Sequence, residues 1–354
     1  MKKKPIEGLI ASPEKTQNID IYVPRADRGK YRPMLQGTGT NQLTRISTRG
    51  KESIVNVNGI TGVITITKGT LKVTIEPEND VIGAFTKIFD VSTHKLFDAC
   101  VIELTKQNHY RSKTEPNAAV VISLEDYMKL CGIPLTKPSK DKIRRNVKTD
   151  LDTLLRTRLE WTETSGKKTK DYLNINICSS VGIKNGNIIL SFTPEIARYL
   201  VNSYVMQYPI GLLKIDERNP NAYYIGKKLL QHYSIDNNIQ KDTANIISVR
   251  SLLEWCEDVI PSYEEVMSGN RHLDDRIITP LENALTSLQT TNLITWEYCN
   301  SKKTPLTDEQ LNNLNYYIFI DLYIHFEVNY FPNQTQRLKF KKKRTKKTYR
   351  RKNP

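Results

Sequence analysis

Residues 138–161 read PSKDKIRRNVKTDLDTLLRTRLEW, and the two faces of this stretch are chemically opposite. Ile143, Val147, Leu151, Leu154 and Leu155 recur at steps of three and four, so on a helix they form one apolar stripe. Lys140, Lys142, Arg144, Arg145 and Lys148 crowd the first half of the same helix, and an extended pattern begins at Leu159. A helix of this kind suits two situations: a cationic recognition helix held to a domain by its apolar stripe, or a surface helix with a solvated charged face. Taken alone the stretch fits either, and the flanking elements separate them.

Upstream, a helix capped by Ser92 carries Leu96, Phe97, Cys100, Val101 and Leu104. It is followed by a strand at 118–122 and a short helix capped by Ser123 that ends near Gly132. Downstream, strands at 159–164 and 172–179 flank the polar turn 165–170, and a third strand, 188–192, leads through Thr193-Pro194 into a helix to about Val201. Helix, strand, helix, helix, hairpin is the order of a winged-helix domain, with 138–161 in the recognition position and 165–170 as the wing.

The second half repeats the pattern. A helix opens at Asn219-Pro220, and at an offset of 125 residues Ile122, Ser123, Leu124, Tyr127, Met128 and Cys131 fall on Ile247, Ser248, Val249, Leu252, Leu253 and Cys256. Leu281, Ala284, Leu285 and Leu288 lead to Leu293, Ile294 and Trp296, as Leu151 to Leu155 lead to Leu159 and Trp161. Strands at 293–299 and 316–328 are expected as a second wing with a polar tip, 300–315. A period of this size reads as a domain duplication and not as a solenoid.

The expected fold is α+β: two tandem winged-helix domains, 81–208 and 209–330. They follow an irregular or disordered segment, 1–52, and a small β-meander, 53–80, and precede a disordered basic tail, 331–354. The meander rests on 54–57, the Asn58-Gly59 turn, 63–67, Lys68-Gly69, and the alternation of Leu71, Val73 and Ile75. Its simplest role is structural, packing on the domain that follows.

A chain of 354 residues has room for two or three cores. The formal net charge is +15, but the eleven Lys and Arg from Arg337 onward, with no acid among them, leave only +4 for residues 1–336. Five cysteines lie far apart without a CxxC pair, which points to a reducing, cytoplasmic setting and away from a zinc site. No window approaches a membrane-spanning apolar run, and the Met-Lys-Lys-Lys start lacks the apolar core of a signal peptide, so no membrane partner is expected.

DNA recognition requires cations for phosphates and a few side chains for base edges. In the first domain Lys140, Lys142, Arg144, Arg145 and Lys148 can serve either purpose, with Lys167, Lys168 and Lys170 on the wing. In the second, the candidate helix begins near Ser268, Asn270, Arg271 and His272 and carries Arg276, with wing residues Lys302 and Lys303. Asp274, Asp275 and Glu282 nearly cancel its charge, and Thr279-Pro280-Leu281-Glu282 reads as either a kink or a new helix start. In the tail, Lys341, Lys342, Lys343 and Arg344 head a run suited to any polyanion or simply to solubility. There is no P-loop, HxH pair or HExxH, and the five histidines do not cluster, so neither an enzyme nor a cofactor is expected.

From about residue 85 to 328 the chain resembles the iteron-binding plasmid replication initiator (Rep) family. The resemblance is carried by ISLEDYM at 122–128, LDTLL at 151–155, FTPEIARYL at 192–200, NAYYIGKKL at 221–229 and IITPLENAL at 277–285. It implies two winged-helix domains that bind direct repeats in double-stranded DNA at a replication origin. It further implies a main base readout by the second domain, backbone contacts and homodimerisation through the first, repression of the chain's own promoter, and recruitment of the host replicative helicase or its loader. The weakly charged second helix departs from that division of labour, and the first eighty residues have no counterpart. Two other readings stand beside it: a winged-helix transcriptional regulator without initiator activity, and a nicking replication enzyme with an atypical site.

Overall fold

The computed structural model describes residues 31–36, 64–68, 71–75, 90–108, 115–165, 168–234, 242–255, 260–269, 272–307, 310 and 314–329. Its first strands are β1 (Tyr31–Gln36), β2 (Ile64–Lys68) and β3 (Leu71–Ile75), followed by helix α1 (Val91–Asn108). Then come β4 (Ala119–Ser123), α2 (Leu124–Leu130), α3 (Lys137–Arg156), β5 (Thr157–Ser165) and β6 (Lys168–Asn176). Strands β7 (Cys178–Lys184) and β8 (Asn187–Phe192), helix α4 (Pro194–Val201) and β9 (Tyr204–Pro209) close the first half, and a 3-10 turn, Ile210–Lys214, leads onward. The second half holds α5 (Pro220–Ser234), β10 (Ile246–Ser248), α6 (Val249–Trp255), α7 (Tyr263–Gly269) and a π-helical turn, Asp274–Ile278. It ends with α8 (Thr279–Thr290), β11 (Ile294–Cys299), α9 (Tyr316–Ile320) and β12 (Tyr323–Val328).

The same strand order occurs twice. One three-stranded sheet runs β4-β8-β7 and another runs β10-β12-β11, so in each the last strand is central. Each first strand ends in a serine that caps the next helix: Asp126 N donates to Ser123 Oγ at 3.0 Å, and Ser251 N to Ser248 Oγ at 3.2 Å. Of the residues aligned by the offset of 125, Ile122, Leu124 and Tyr127 are buried and so are Ile247, Val249 and Leu252, whereas Met128 is buried and Leu253 only partly so, and Cys256 lies outside the described residues.

Several expectations change. Segment 1–52 was expected to be irregular, yet Tyr31–Gln36 pairs antiparallel with β9, and Met34 and Leu35 enter the core. Among the described residues this sheet has two strands, so Pro33 interrupts no central ladder there. The hairpin β5-β6, expected as the first wing, instead joins β2-β3 in a four-stranded sheet of order β2-β3-β5-β6, with Leu71 opposite Trp161. That pairing ties the 64–75 hairpin to strands beyond α3; the expected strand at 54–57 lies outside the described residues. The strand pair in the wing position is β7-β8, closed by Asn185 (φ 51°) and Gly186 (φ 74°), the two-residue left-handed turn that fits strand twist. Residues 316–320, expected as strand, form a helix because the Asn315 side chain accepts from Ile318 N at 3.0 Å.

Helix α1 lies at the centre. Asp90, not Ser92, caps it, accepting from Thr93 N at 3.0 Å. Phe97, Cys100, Val101 and Leu104 are buried, but so are the polar residues His94, Lys95 and Asp98. In the second half α5 and α8 approach closely at Gly226, where a Cβ would meet Leu212 Cδ2 at 2.6 Å and Leu288 Cδ2 at 2.8 Å.

Candidate nucleic-acid interface

Helix α3 starts at the Thr136 cap, with Pro138 in its first turn, and buries Val147, Asp150, Leu151 and Leu154. Lys142, Arg144, Arg145 and Lys148 are exposed, so the stripe faces the core and the cations face solvent, as the periodicity requires. Lys140 is different. Its ammonium lies 2.6 Å from Glu125 Oε1 on α2, and this contact holds the Glu125 carboxyl below its ordinary range. Lys140 therefore ties α3 to α2, while Lys142, Arg144, Arg145 and Lys148 stay exposed along the helix.

The helix is seated through Asp150. Ser92 Oγ donates to Asp150 Oδ2 at 2.5 Å and Thr93 Oγ1 to Oδ1 at 2.9 Å, joining α3 to the first turn of α1. Burial pushes this carboxyl up to about 7, with the two hydroxyls opposing the rise and the nearby Asp90 charge adding to it.

Of the wing lysines, Lys168 and Lys170 lie on β6, in the four-stranded sheet and not at the wing position, while Lys167 lies outside the described residues. The wing position presents Lys184 instead, exposed beside the Asn185-Gly186 turn. The sequence reading placed the wing on the 159–179 hairpin and carried no strand over 180–184, so Lys184 was not singled out.

In the second half, Ser268 does not share a helix with Arg276. It sits near the end of α7, where its hydroxyl donates to Glu265 O at 3.1 Å. Asn270 and Arg271 lie outside the described residues, and exposed His272 approaches Asp275 at 3.6 Å. The question of a kink or a new start at Pro280 is resolved by neither: the π-helical turn Asp274–Ile278 runs directly into α8, with Thr279 N bonded to Asp274 O, five residues back. A proline ring crowds the carbonyl one α-turn earlier, and a wider turn relieves that contact without ending the helix.

Arg276 is exposed on this turn, and Thr279, Asn283 and Thr286 are exposed along α8. Steps of three and four put these four on one face, opposite buried Leu281, Ala284, Leu285 and Leu288. Asn283, Thr279 and Thr286 carry neutral hydrogen-bonding groups of the kind that can pair with base edges, and a pattern of cations in the sequence does not point to them. Lys302 is exposed, whereas Lys303 (φ 63°) reaches Asp242 Oδ2 at 3.1 Å. Lys341, Lys342, Lys343 and Arg344 lie outside the described residues.

Burial pushes the Cys100 thiol up to about 12 and the Cys131 thiol to about 11, which leaves little thiolate at neutral pH. Among the described residues no group of three or more His, Cys, Asp or Glu is placed to hold a metal ion, and no helix is long and apolar enough to cross a membrane.

Comparison with known proteins yields one family match: residues 74–211 fit the family described as Initiator Replication protein, WH1 (Rep3_N). No curated protein matches the chain. Among solved structures, a crystal structure of domains 2 and 3 of RctB is similar with a TM-score of 0.44 at 12% identity, over 81% of this chain and 98% of that one. A second crystal structure of RctB domains 2–3 gives a TM-score of 0.38 at 9% identity, over 76% and 90%. The initiator resemblance noted in the sequence is thus borne out by the family match, whose span runs from β3 through α3 to the 3-10 turn. Over residues 74–211 the chain is similar to the family described as Initiator Replication protein, WH1.

Proposed function

We propose that the chain is a sequence-specific DNA-binding initiator of replication for a plasmid or related mobile element, working in the bacterial cytoplasm. It binds direct repeats at the origin through two tandem winged-helix domains, represses its own promoter, and acts without catalysis. The observation that supports this most is the repeated sheet order β4-β8-β7 and β10-β12-β11, each following a serine-capped strand-to-helix step, within a chain whose first half matches the initiator segment. In the first domain α3 presents Lys142, Arg144, Arg145 and Lys148 to phosphates. In the second, the face formed by Arg276, Thr279, Asn283 and Thr286 reads base edges, with Lys184 and Lys302 on flanking backbone. Homodimerisation through the first domain and recruitment of a helicase or its loader belong to the same proposal.

The test is a footprint of the full chain on the DNA upstream of its own coding region, with binding compared to shuffled DNA at physiological salt. Saturable protection of direct repeats is expected. Equal affinity for shuffled sequence refutes the proposal, and repeat binding without support of plasmid replication leaves a transcriptional regulator.

A further inference from the structure

Helix α1 belongs to the first winged-helix unit by its position ahead of β4, yet one of its faces is built for the second. Phe97, Cys100, Val101 and Leu104 are buried apolar positions, whereas His94, Lys95 and Asp98, at steps of one and three, form a buried polar stripe. That stripe meets α5 and the connection before it. Lys227 Nζ lies 2.8 Å from Asp98 Oδ1, with both side chains 3% exposed or less. The Tyr223 hydroxyl donates to the other carboxylate oxygen, Oδ2, at 2.6 Å. Lys95 donates to the Ile215 carbonyl just past the 3-10 turn and lies 3.8 Å from Glu217. The His94 ring packs edge-on against Tyr224 at 5.7 Å between centroids.

An apolar contact between two units tolerates sliding and small rotations, because dispersion has no direction. A dry ion pair does not: the desolvation of both charges is offset only in the geometry that keeps its hydrogen bonds. Here both oxygens of one carboxylate are engaged, by an ammonium and a phenol one helical turn apart on α5. Rotating α5 about α1 breaks at least one of these contacts and strands a charge in the core.

We propose that Asp98, Lys227 and Tyr223 are positioning residues that lock the two DNA-binding units in one rotational phase, so that the chain measures the spacing between the DNA segments read by α3 and by the 276–286 face. None of the three touches DNA. This inference rests on the two-unit DNA reading above and adds a specificity determinant to it: spacing as well as sequence.

The experiment uses the full chain and a fluorescein-labelled duplex of the footprinted repeat, intact or with insertions of about 5 or about 10 base pairs between the two protected segments, half and one full turn of the duplex. The wild type is expected to lose at least about tenfold in affinity on the half-turn insertion, the worth of one good base contact set. In the double variant Asp98→Asn, Lys227→Met, which removes the charges and keeps the volume, that penalty shrinks by a factor of about three or more, while affinity for the intact repeat changes far less. Tyr223→Phe, which keeps the ion pair and its packing, shows a smaller change in the same direction and reports the effect if the double variant does not fold. A spacing penalty in the wild type that persists undiminished in the folded variants overturns the lock and leaves the two-unit reading standing. Spacing-independent binding by the wild type overturns the two-unit reading and the lock with it.

Discussion

Replacing Asp150 by asparagine is expected to make the protein more stable above neutral pH and to abolish a fall in stability between pH 4 and 8. Asp150 is 5% exposed at the junction of α3 and α1, accepting hydrogen bonds from Ser92 and Thr93, and burial holds its carboxyl up at about 7. In the unfolded chain the same group titrates near its ordinary value of 3.8. Below about pH 4 both states are protonated and the group contributes no pH dependence. As pH rises toward 7 the unfolded chain releases its proton while the native protein keeps it, so stability falls, and above the native value the loss is complete. The ordinary value of 3.8 and the native value of about 7 differ by about 3 units, which at about 1.4 kcal/mol per unit is up to about 4 kcal/mol.

Asparagine fills the same space and does not titrate. Its carbonyl oxygen accepts from one hydroxyl and its amide donates to the other, so the seat of α3 is preserved at the cost of about 1–2 kcal/mol in hydrogen-bond strength. The net expectation is near-equality with the wild type at pH 5 and a gain of about 2 kcal/mol at pH 8. Urea unfolding of both proteins from pH 5 to 8 measures this directly, since other titrating groups cancel in the difference. A difference that stays constant across the range, or a variant less stable than the wild type at pH 8, refutes the argument.

The exposed pair Arg144 and Arg145 gives a second expectation. Changing both to glutamine reduces the slope of log affinity against log salt by about 2, near 0.9 per lost phosphate contact, with a uniform loss across sequences; a changed repeat preference would assign them to base reading. Asn283→Ala is expected to relax preference at one base pair by about 1–3 kcal/mol in a binding selection while leaving the salt slope unchanged. Gly226→Ala forces its new methyl against Leu212 and Leu288 in a filled core and lowers the urea midpoint by the equivalent of about 1–3 kcal/mol. Lys227→Ala alone leaves the Asp98 carboxylate buried without its cation and costs about 3–5 kcal/mol in the same assay, more than the paired replacement of both charges.

What could be read in the sequence was local. The stripe of α3, the serine caps at Ser123 and Ser248 and the turn into α4 depend on residues within a few positions of one another, and the sequence shows them. What escaped depends on distant partners. Tyr31–Gln36 is a strand only because β9 lies alongside it. The hairpin β5-β6 has the alternation of a wing, but its sheet is decided by β3, more than eighty residues upstream of β5. Because that hairpin stands between α3 and β7, the echo of Leu159 and Trp161 in Ile294 and Trp296 pairs strands that are not topologically equivalent. At the candidate interface, counting charge found the exposed cations of α3, but it missed Asn283 and Thr286, whose groups are neutral and whose helix became continuous only through the π-helical turn.

Under the proposed DNA-binding function, the contrast between the two helices suits two stages of one encounter. Cations such as Lys142 and Arg145 act across a screening length of about 8–10 Å, so α3 is drawn to any phosphate backbone before contact. The face formed by Arg276, Thr279, Asn283 and Thr286 carries a single formal charge, and its hydrogen bonds act only at direct contact. A reading face with one cation adds less to nonspecific affinity than the four on α3, so the difference between a correct and an incorrect sequence stays large relative to total binding. That arrangement discriminates only if engagement of α3 leaves α8 a single place to land. On the proposed lock, the buried Asp98–Lys227 pair supplies this condition, because it would convert two separate grips on DNA into one rigid gauge.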